Sequence, residues 1–408
     1  MPRQATVVVL FGRPCKLKLV PDGGEGREEM LSVMRYWFSL TLLLASSYAC
    51  AATDAPSIAG GVVTHQDLFN AGMRKGVACY RIPALVTAPN GDLVAAMDER
   101  VASGNDLGEN KDINIVVRRS TDDGMTWSPI EAAVAYDHGI SVSDPSMVVD
   151  RNTGDLFLFH NYMDHNTAHG IYRLHVAKSH DNGASWSKAE DITAQITKPA
   201  WRRDFQFITS GRGIQTRSGT LLHTLVNLDK GLHLFGSDDD GKTWSLFDVP
   251  LKPGDESKVV ELADGEWMVN SRVKKAGMRY THTSADRGKT WTTKPEAALA
   301  DSACNASFIR YTATADGYDK NRLLFSNPKS AKKREDMTVR VSYDEGATWT
   351  AGKTVYPGLA AYSSMTILKN GDIGLLFEKD DYTGNEFVRF SLEWLTDGRD
   401  KYVVPEGR

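Results

Sequence analysis

An all-β fold, a β-propeller, is predicted by three observations: an eight-residue motif, SxDxGx(T/S)W, written five times; alternating apolar strands ahead of most copies; and fresh apolar runs behind them. The copies are Ser120–Trp127 (STDDGMTW), Ser179–Trp186 (SHDNGASW), Ser237–Trp244 (SDDDGKTW), Ser284–Trp291 (SADRGKTW) and Ser342–Trp349 (SYDEGATW). They start roughly 50 to 60 residues apart, the period of a blade in a propeller of kelch size. Each copy reads as a hairpin turn. Its Asp and Gly supply a side-chain-to-backbone hydrogen bond and a positive φ, and its Trp anchors the turn on the core of the blade. The repeat specifies architecture and carries no chemistry of its own.

The elements follow in order around these turns. Ahead of four boxes, residues 113–119 (INIVVRR), 171–177 (IYRLHVA), 232–235 (LHLF) and 337–341 (MTVRV) alternate as strands do. Behind them, 154–160 (GDLFLFH) and 219–226 (GTLLHTLV) begin new apolar runs, with little helical periodicity between. The chain therefore reads as one propeller over residues 62–408, the boxes marking most blades and at least one blade lacking a box. With 41% hydrophobic and 25% charged residues in 408, a core of ample size can form, and a formal net charge of -4 predicts no generic affinity for nucleic acid.

The first fifty residues differ. Residues 34–51 (MRYWFSLTLLLASSYACA) carry a charged start, a short apolar stretch and an AxA-type site at Ala49-Cys50-Ala51, the pattern of a secretory signal peptide. Residues 1–33 then read as an over-extended start of the coding sequence. The apolar stretch is too short to span a bilayer comfortably, so export to periplasm or medium, without stable membrane insertion after cleavage, is expected. Of four cysteines, Cys15 and Cys50 fall in this segment. Cys79 and Cys304 are left, either bridged or as two separate thiols. No CxxC or HExxH spacing occurs, so neither a metal nor a cofactor is expected.

The chemistry lies outside the boxes. Tyr80–Leu85 (YRIPAL) is followed by Gly91–Leu93 (GDL) and Asp98–Arg100 (DER). An RIP segment ahead of a series of Asp boxes resembles the combined pattern of the exo-α-sialidases, and the chain is similar to the bacterial members from about Gly76 to Leu395. That resemblance implies a six-bladed propeller and three arginines converging on a substrate carboxylate. Arg81 is the RIP arginine. Arg272 lies in 270–272 (NSR), downstream of 255–262 (DESKVVEL), and Arg334 lies in 333–340 (KREDMTVR). Arg340 is the rival of Arg334, but its alternation with two valines reads as a strand residue facing solvent. Planar guanidinium forks suit a carboxylate better than a point-charge ammonium does. Glu378, in 374–378 (GLLFE), is implied as the brace behind Arg81.

The same resemblance implies Tyr362, in 361–366 (AYSSMT), as the nucleophile. A neutral phenol avoids the repulsion that a second carboxylate would meet beside the carboxylate of sialic acid. With an ordinary pKa near 10 it needs a base, and Glu256 is implied for that, with Glu261 as the alternative. Asp106, in 101–108 (VASGNDLG), is implied as general acid; the loop runs one residue long, which puts Asn105 at the expected count, and Asp112 competes. Arg100 and Asp144 (in SDPS, 143–146) resemble the pair lining the O4 edge of the sugar, and Gly213–Gln215 (GIQ) matches a further segment near the site. The implied reaction is retaining hydrolysis of terminal sialic acid from glycans, glycoproteins or glycolipids through a sialyl-tyrosine, the tyrosine variant of glycosidase chemistry. The alternatives are a trans-sialidase or an anhydro-product sialidase on the same site, or, from another class, a non-catalytic Asp-box propeller that binds glycans. A monomer is the default.

Overall fold

The structure, a computed structural model, describes residues 64–405. Residues 1–63 and 406–408 lie outside the described residues, and with them the expected signal peptide at 34–51, the expected over-extended start at 1–33, Cys15 and Cys50. The described part is almost entirely strand, with two helices of four residues each and a few 3-10 turns.

The strands form five sheets in a propeller-like arrangement. The first runs Val77–Thr87, Leu93–Val101, Ile113–Ser120, Glu131–Val134, each antiparallel to the last. The second repeats this with Ile140–Val149, Leu156–Asp164, Arg173–Ser179 and Glu190–Asp191, and adds Gly211–Arg212 parallel to its inner strand. Leu221–Asn227, Gly231–Ser237 and Ser245–Leu251 carry the third, with Gln206–Ile208 and Ile214–Gln215 both paired to Leu221–Asn227. Ser257–Glu261, Trp267–Ser271, Met278–Ser284 and Thr292–Ala300 make the fourth. The last sheet has seven strands, because Lys353–Ile367 is long enough to pair with Glu335–Ser342 at one end and Ile373–Lys379 at the other. Its outer edge is Thr64–Asn70, the first described strand, laid antiparallel on Gly384–Phe390 near the end of the chain. This pairing joins the two ends of the propeller and covers the edge of Gly384–Phe390.

All five boxes turn the chain from the third strand of a repeat into the fourth, and all are built alike. In the first, Ser120 Oγ accepts from Gly124 N at 2.8 Å and donates to Asp122 Oδ1 at 2.8 Å, while Asp122 accepts from Thr126 N and Thr126 Oγ1 at 2.8 and 2.6 Å. The turn needs two successive left-handed residues rather than one: Asp123, Asn182, Asp240, Arg287 and Glu345 take φ of 56 to 59° just before the box glycines. The glycines are also close-packed. A Cβ on Gly124 would lie 2.5 Å from the Phe387 ring, and one on Gly241 would lie 2.2 Å from the Phe157 ring. Both rings belong to the preceding sheet, so these two boxes dock across the joint between sheets, while Trp349 packs on Phe308 and Phe325 of its own sheet, as the sequence predicts. Trp127 meets Phe387 edge-on at 5.0 Å, and Trp244 meets Phe157 and Phe159 at 5.5 and 5.0 Å.

Candidate active site

Three inner strands carry a β-bulge at the same level, and each bulge turns a backbone N–H away from its ladder toward a buried carboxylate. In Val77–Thr87 the register slips between Arg81 and Ala84, where Ile82 sits at φ 64° before Pro83. A left-handed β-branched residue is an outlier. Its amide is donated to Glu378 Oε1 at 2.9 Å. In Lys353–Ile367 the slip between Ala360 and Ser363 frees the Tyr362 amide for Glu378 Oε2 at 3.1 Å. In Ile140–Val149 the slip around Asp144, at φ 62° before Pro145, frees its amide for Asp98 Oδ1 at 2.9 Å. The RIP and SDP segments of the sequence are these bulges.

Glu378 and Arg81 form a fully buried fork, Nε to Oε1 at 2.7 Å and Nη2 to Oε2 at 3.4 Å. Burial works against the Arg81 charge, yet Glu378 raises its pKa overall, with Tyr382 and Asp106 adding to the effect. Arg81 Nη1 is buried and has no partner among the described residues. Arg272 Nη1 donates to Glu256 Oε2 and, at 2.8 Å, to the Tyr362 hydroxyl. That hydroxyl in turn donates to Glu256 Oε2 at 2.8 Å. The Arg334 and Arg81 guanidinium groups lie 5.3 and 5.7 Å from the Tyr362 ring centroid. Arg334 itself bonds the Tyr382 hydroxyl at 3.0 Å and the Ala303 carbonyl at 2.9 Å, with no carboxylate in ion-pair range among the described residues. Burial first, and then the Glu256 charge, push the Tyr362 phenol well above its ordinary pKa, against the pull of Arg272 and Arg334. Tyr362 is therefore held as the neutral phenol, with an acceptor for its proton already in contact.

The remaining predicted residues gather beside these. Arg100, fully buried, donates to Asp98 Oδ2 from Nε and Nη2 at 3.3 and 3.1 Å, to Asp106 Oδ1 at 2.6 Å and to the Gly104 carbonyl at 2.9 Å. Asp106 is the accessible member, its side chain 35% exposed. Asp144 Oδ2 accepts from Asn161 Nδ2 at 2.9 Å. Its pKa is raised well above the usual carboxylate range by burial and then by the charges of Asp98, Glu256 and Asp106. A cavity of about 760 Å3 opens beside Arg272, Arg334 and Tyr382, with Lys274, Lys332 and Lys333 in its wall.

Several sequence expectations are corrected. Arg340 does not face solvent: it is buried at 3% exposure and donates to Asn327 Oδ1 at 2.9 Å. Val-Arg-Val alternation is the pattern of a half-solvated strand, but this strand is buried on both faces. Gly213–Gln215 does not line this site; it borders a second cavity instead. Glu261 borders that same cavity and accepts the Arg217 amide at 2.7 Å, and Asp112 pairs at 3.7 Å with His138 rather than with Arg100. Cys304 is a free buried thiol, so it does not bridge to Cys79. Two further residues of the site, Asp98 and Tyr382, have no role implied by the motifs. Asp98 had a signal, its period-2 alternation with Arg100, which puts both on one strand face. Tyr382 had none. Its ring lies 4.0 Å from the Arg81 guanidinium because Asp380, Asp381 and Tyr382 all take left-handed backbone.

Residues 91–375 match the family model described as a BNR repeat-like domain, and the chain belongs to that family. Among curated proteins it is similar to a sialidase of Micromonospora viridifaciens, 36% identical over 90% of this chain and 61% of the relative, and to one of Bacteroides fragilis, 32% identical over 74% and 60%. The chain thus spans about three fifths of the length of these relatives. Among solved structures, a Hadza microbial sialidase superposes with a TM-score of 0.74 at 30% identity, over 81% of this chain and 69% of that one. An intramolecular trans-sialidase from Ruminococcus gnavus, with a TM-score of 0.68 at 19% identity over 80% of this chain and 97% of that one, shares the fold.

Proposed function

We propose that the protein is an exo-α-sialidase that releases terminal sialic acid from glycans, glycoproteins or glycolipids with retention of configuration. The observation that carries this is the contact of the Tyr362 hydroxyl with both Glu256 and Arg272, inside a group of three arginines of which Arg334 has no carboxylate of its own. Arg81, Arg272 and Arg334 would take the substrate carboxylate, with the unpartnered Arg81 Nη1 as one waiting donor. Tyr362 Oη would attack the anomeric carbon as its proton passes to Glu256. Asp106 would protonate the departing oxygen and then take a proton from the incoming water, and Arg100 and Asp144 would border the sugar.

The similarity to named sialidases supports the substrate class, and the fit of Tyr362 to Glu256 supports the tyrosine route. The seven-stranded sheet reads as two blades sharing the strand Lys353–Ile367, which makes six blades with the other four sheets, over a domain beginning near residue 62. The protein is proposed to be exported on the signal peptide at 34–51 and to act as a monomer without a metal. Hydrolysis of a fluorogenic α-sialoside by the full chain tests the activity. Tyr362→Phe, which removes one oxygen from a packed ring, is expected to lose about 1000-fold or more in kcat with an unchanged melting curve. Unchanged turnover would overturn the assignment. Proton NMR of the products separates free sialic acid of retained configuration from a transferred or anhydro sugar.

A further inference from the structure

The inner strands pass through the propeller in one direction, so residues about five positions beyond the site come out at its other end, roughly 16 Å away at ~3.3 Å per residue. Thr87 follows Arg81 in this way, Val149 follows Asp144, Glu261 follows Glu256 and Ile367 follows Tyr362. These later residues line a second cavity, of about 690 Å3. Lys258 is buried between the two ends, its Nζ donated to Asn305 Oδ1 at 2.7 Å. Gln215, from the GIQ segment that the active site does not use, and Arg212, the residue just ahead of that segment, stand in the wall of the second cavity.

Arg212, part-buried with its Nε sealed from solvent, departs from the pattern of most buried arginines. Arg81, Arg100, Arg272, Arg279 and Arg322 each meet a carboxylate. Among the described residues Arg212 meets none: Nη1 donates to the Met365 carbonyl at 3.2 Å, and Nε is buried with no partner. Burial, and then repulsion from Arg151, push its pKa down to about 10. Arg151 also lacks a carboxylate and spends its guanidinium on the carbonyls of Gln215 and Thr216. Of the other cations in the wall, Arg217 is matched by Glu261 and Arg310 by Glu345, while Lys369 donates to the Asn90 carbonyl. Asp316 is the one carboxylate of the wall besides Glu261. A desolvated charge without a counter-ion is costly, and protein interiors resolve it by pairing. Arg334, proposed above to hold the substrate carboxylate, shows the same pattern of a guanidinium without a carboxylate at a cavity. Arg340 also lacks a carboxylate, but it bonds Asn327 and lines neither cavity.

We propose that Arg212, with Arg151 beside it, binds a small oxyanion, the carboxylate or phosphate group of a soluble molecule, in this second cavity. The site stands independently of the sialidase reading. The test uses the full chain and 1H–15N spectra of the arginine Nε–H groups, the Arg212 resonance being identified by its loss in Arg212→Lys. Inorganic phosphate and acetate are titrated separately at constant ionic strength. The expected result is a saturable shift of the Arg212 resonance with at least one of them, weakened about tenfold by Arg151→Gln, which removes one charge-assisted contact. Turnover of an aryl sialoside with an uncharged aglycone by Arg151→Gln is expected to stay within twofold of the parent. Which anion saturates tells a phosphate from a carboxylate ligand. An Arg212 resonance that neither anion moves, or that drifts without saturating in both, overturns the proposal. If Arg212→Lys does not fold, selenate-soaked crystals of the parent chain serve instead: an anomalous peak within about 3.5 Å of the Arg212 guanidinium is expected, and its absence is equally decisive.

Discussion

Glu378 accepts four hydrogen bonds, two from the Arg81 guanidinium and one each from the Ile82 and Tyr362 amides, so one fully buried carboxylate holds both an arginine and the tyrosine strand in place. Glu378→Gln is expected to lower unfolding free energy by about 3 kcal/mol, because it leaves the Arg81 charge buried without an anion, and to raise KM for an aryl sialoside. Denaturant titration and steady-state kinetics check the two effects, and unchanged stability would sink the first. Asp98 gives a pH dependence. Burial raises its pKa to about 6, although Arg100, Ser143 and the Asp144 amide pull it down. The native state then holds this proton more tightly than the unfolded chain, whose aspartates titrate near 4. Its stabilising contribution is full below about pH 4 and is lost as pH rises to about 6, a change on the order of 3 kcal/mol at this one residue. A carboxyl-carbon NMR titration should find an Asp98 midpoint near 6, moving higher in Arg100→Met. A midpoint near 4 would contradict the burial argument.

At the scale of the element, the box turns and the bulges divide the work. Each box uses two left-handed residues and a short network of Ser, Asp and Thr or Ser to make a stiff corner, and in four of the five the glycine presses on the preceding sheet. Gly241→Ala brings a Cβ into the Phe157 ring at φ 73°, and is expected to cost about 3 kcal/mol from overpacking and left-handed strain together. Gly154→Ala, at φ 84° with nothing within 4 Å, carries only the backbone cost of about 1 kcal/mol. Equal melting temperatures for the two variants would show that the box glycine is not a packing residue. The bulges do the opposite of the boxes. They interrupt pairing at one level of three inner strands so that the backbone amides of Ile82, Asp144 and Tyr362, and the side chains of Arg81 and Tyr362, turn toward buried carboxylates.

At the scale of the whole molecule, Thr64–Asn70 completes the last sheet by pairing with Gly384–Phe390, and it buries Leu68 and Phe69. A chain lacking residues up to Asn70 loses these two side chains, roughly 1.5–3 kcal/mol each, and exposes the Gly384–Phe390 edge. It is expected to melt lower and to self-associate, which scanning calorimetry and gel filtration would register. A monomeric variant with an unchanged melt would mean that the closure strand is dispensable. Closure also brings Glu378, near the end of the chain, against Arg81, near the start of the described residues, so the truncated chain should lose activity as well as stability.

The architecture was legible in the sequence because the box is local: every atom of its hydrogen-bond network lies within eight residues, and five copies repeat it. The main candidates of the site were legible too, since Arg81, Arg272, Tyr362, Glu256 and Glu378 each stand in a short motif of their own. Their contacts were not, because they join residues 16 to 297 positions apart. Nor did the alternation of Arg340 reveal its burial, which is set by the strands on either side of it. Tyr382 has no motif, and only the tertiary fold sets its ring on Arg81. The uncompensated charge of Arg212 belongs to the same class. Whether a guanidinium finds a carboxylate depends on what the other strands bring to it, and the sequence around Arg212 contains no sign of that. Local hydrogen bonding thus determined the blades, and short motifs marked the candidate residues, while long-range packing decided which charges are matched and which are left without a carboxylate.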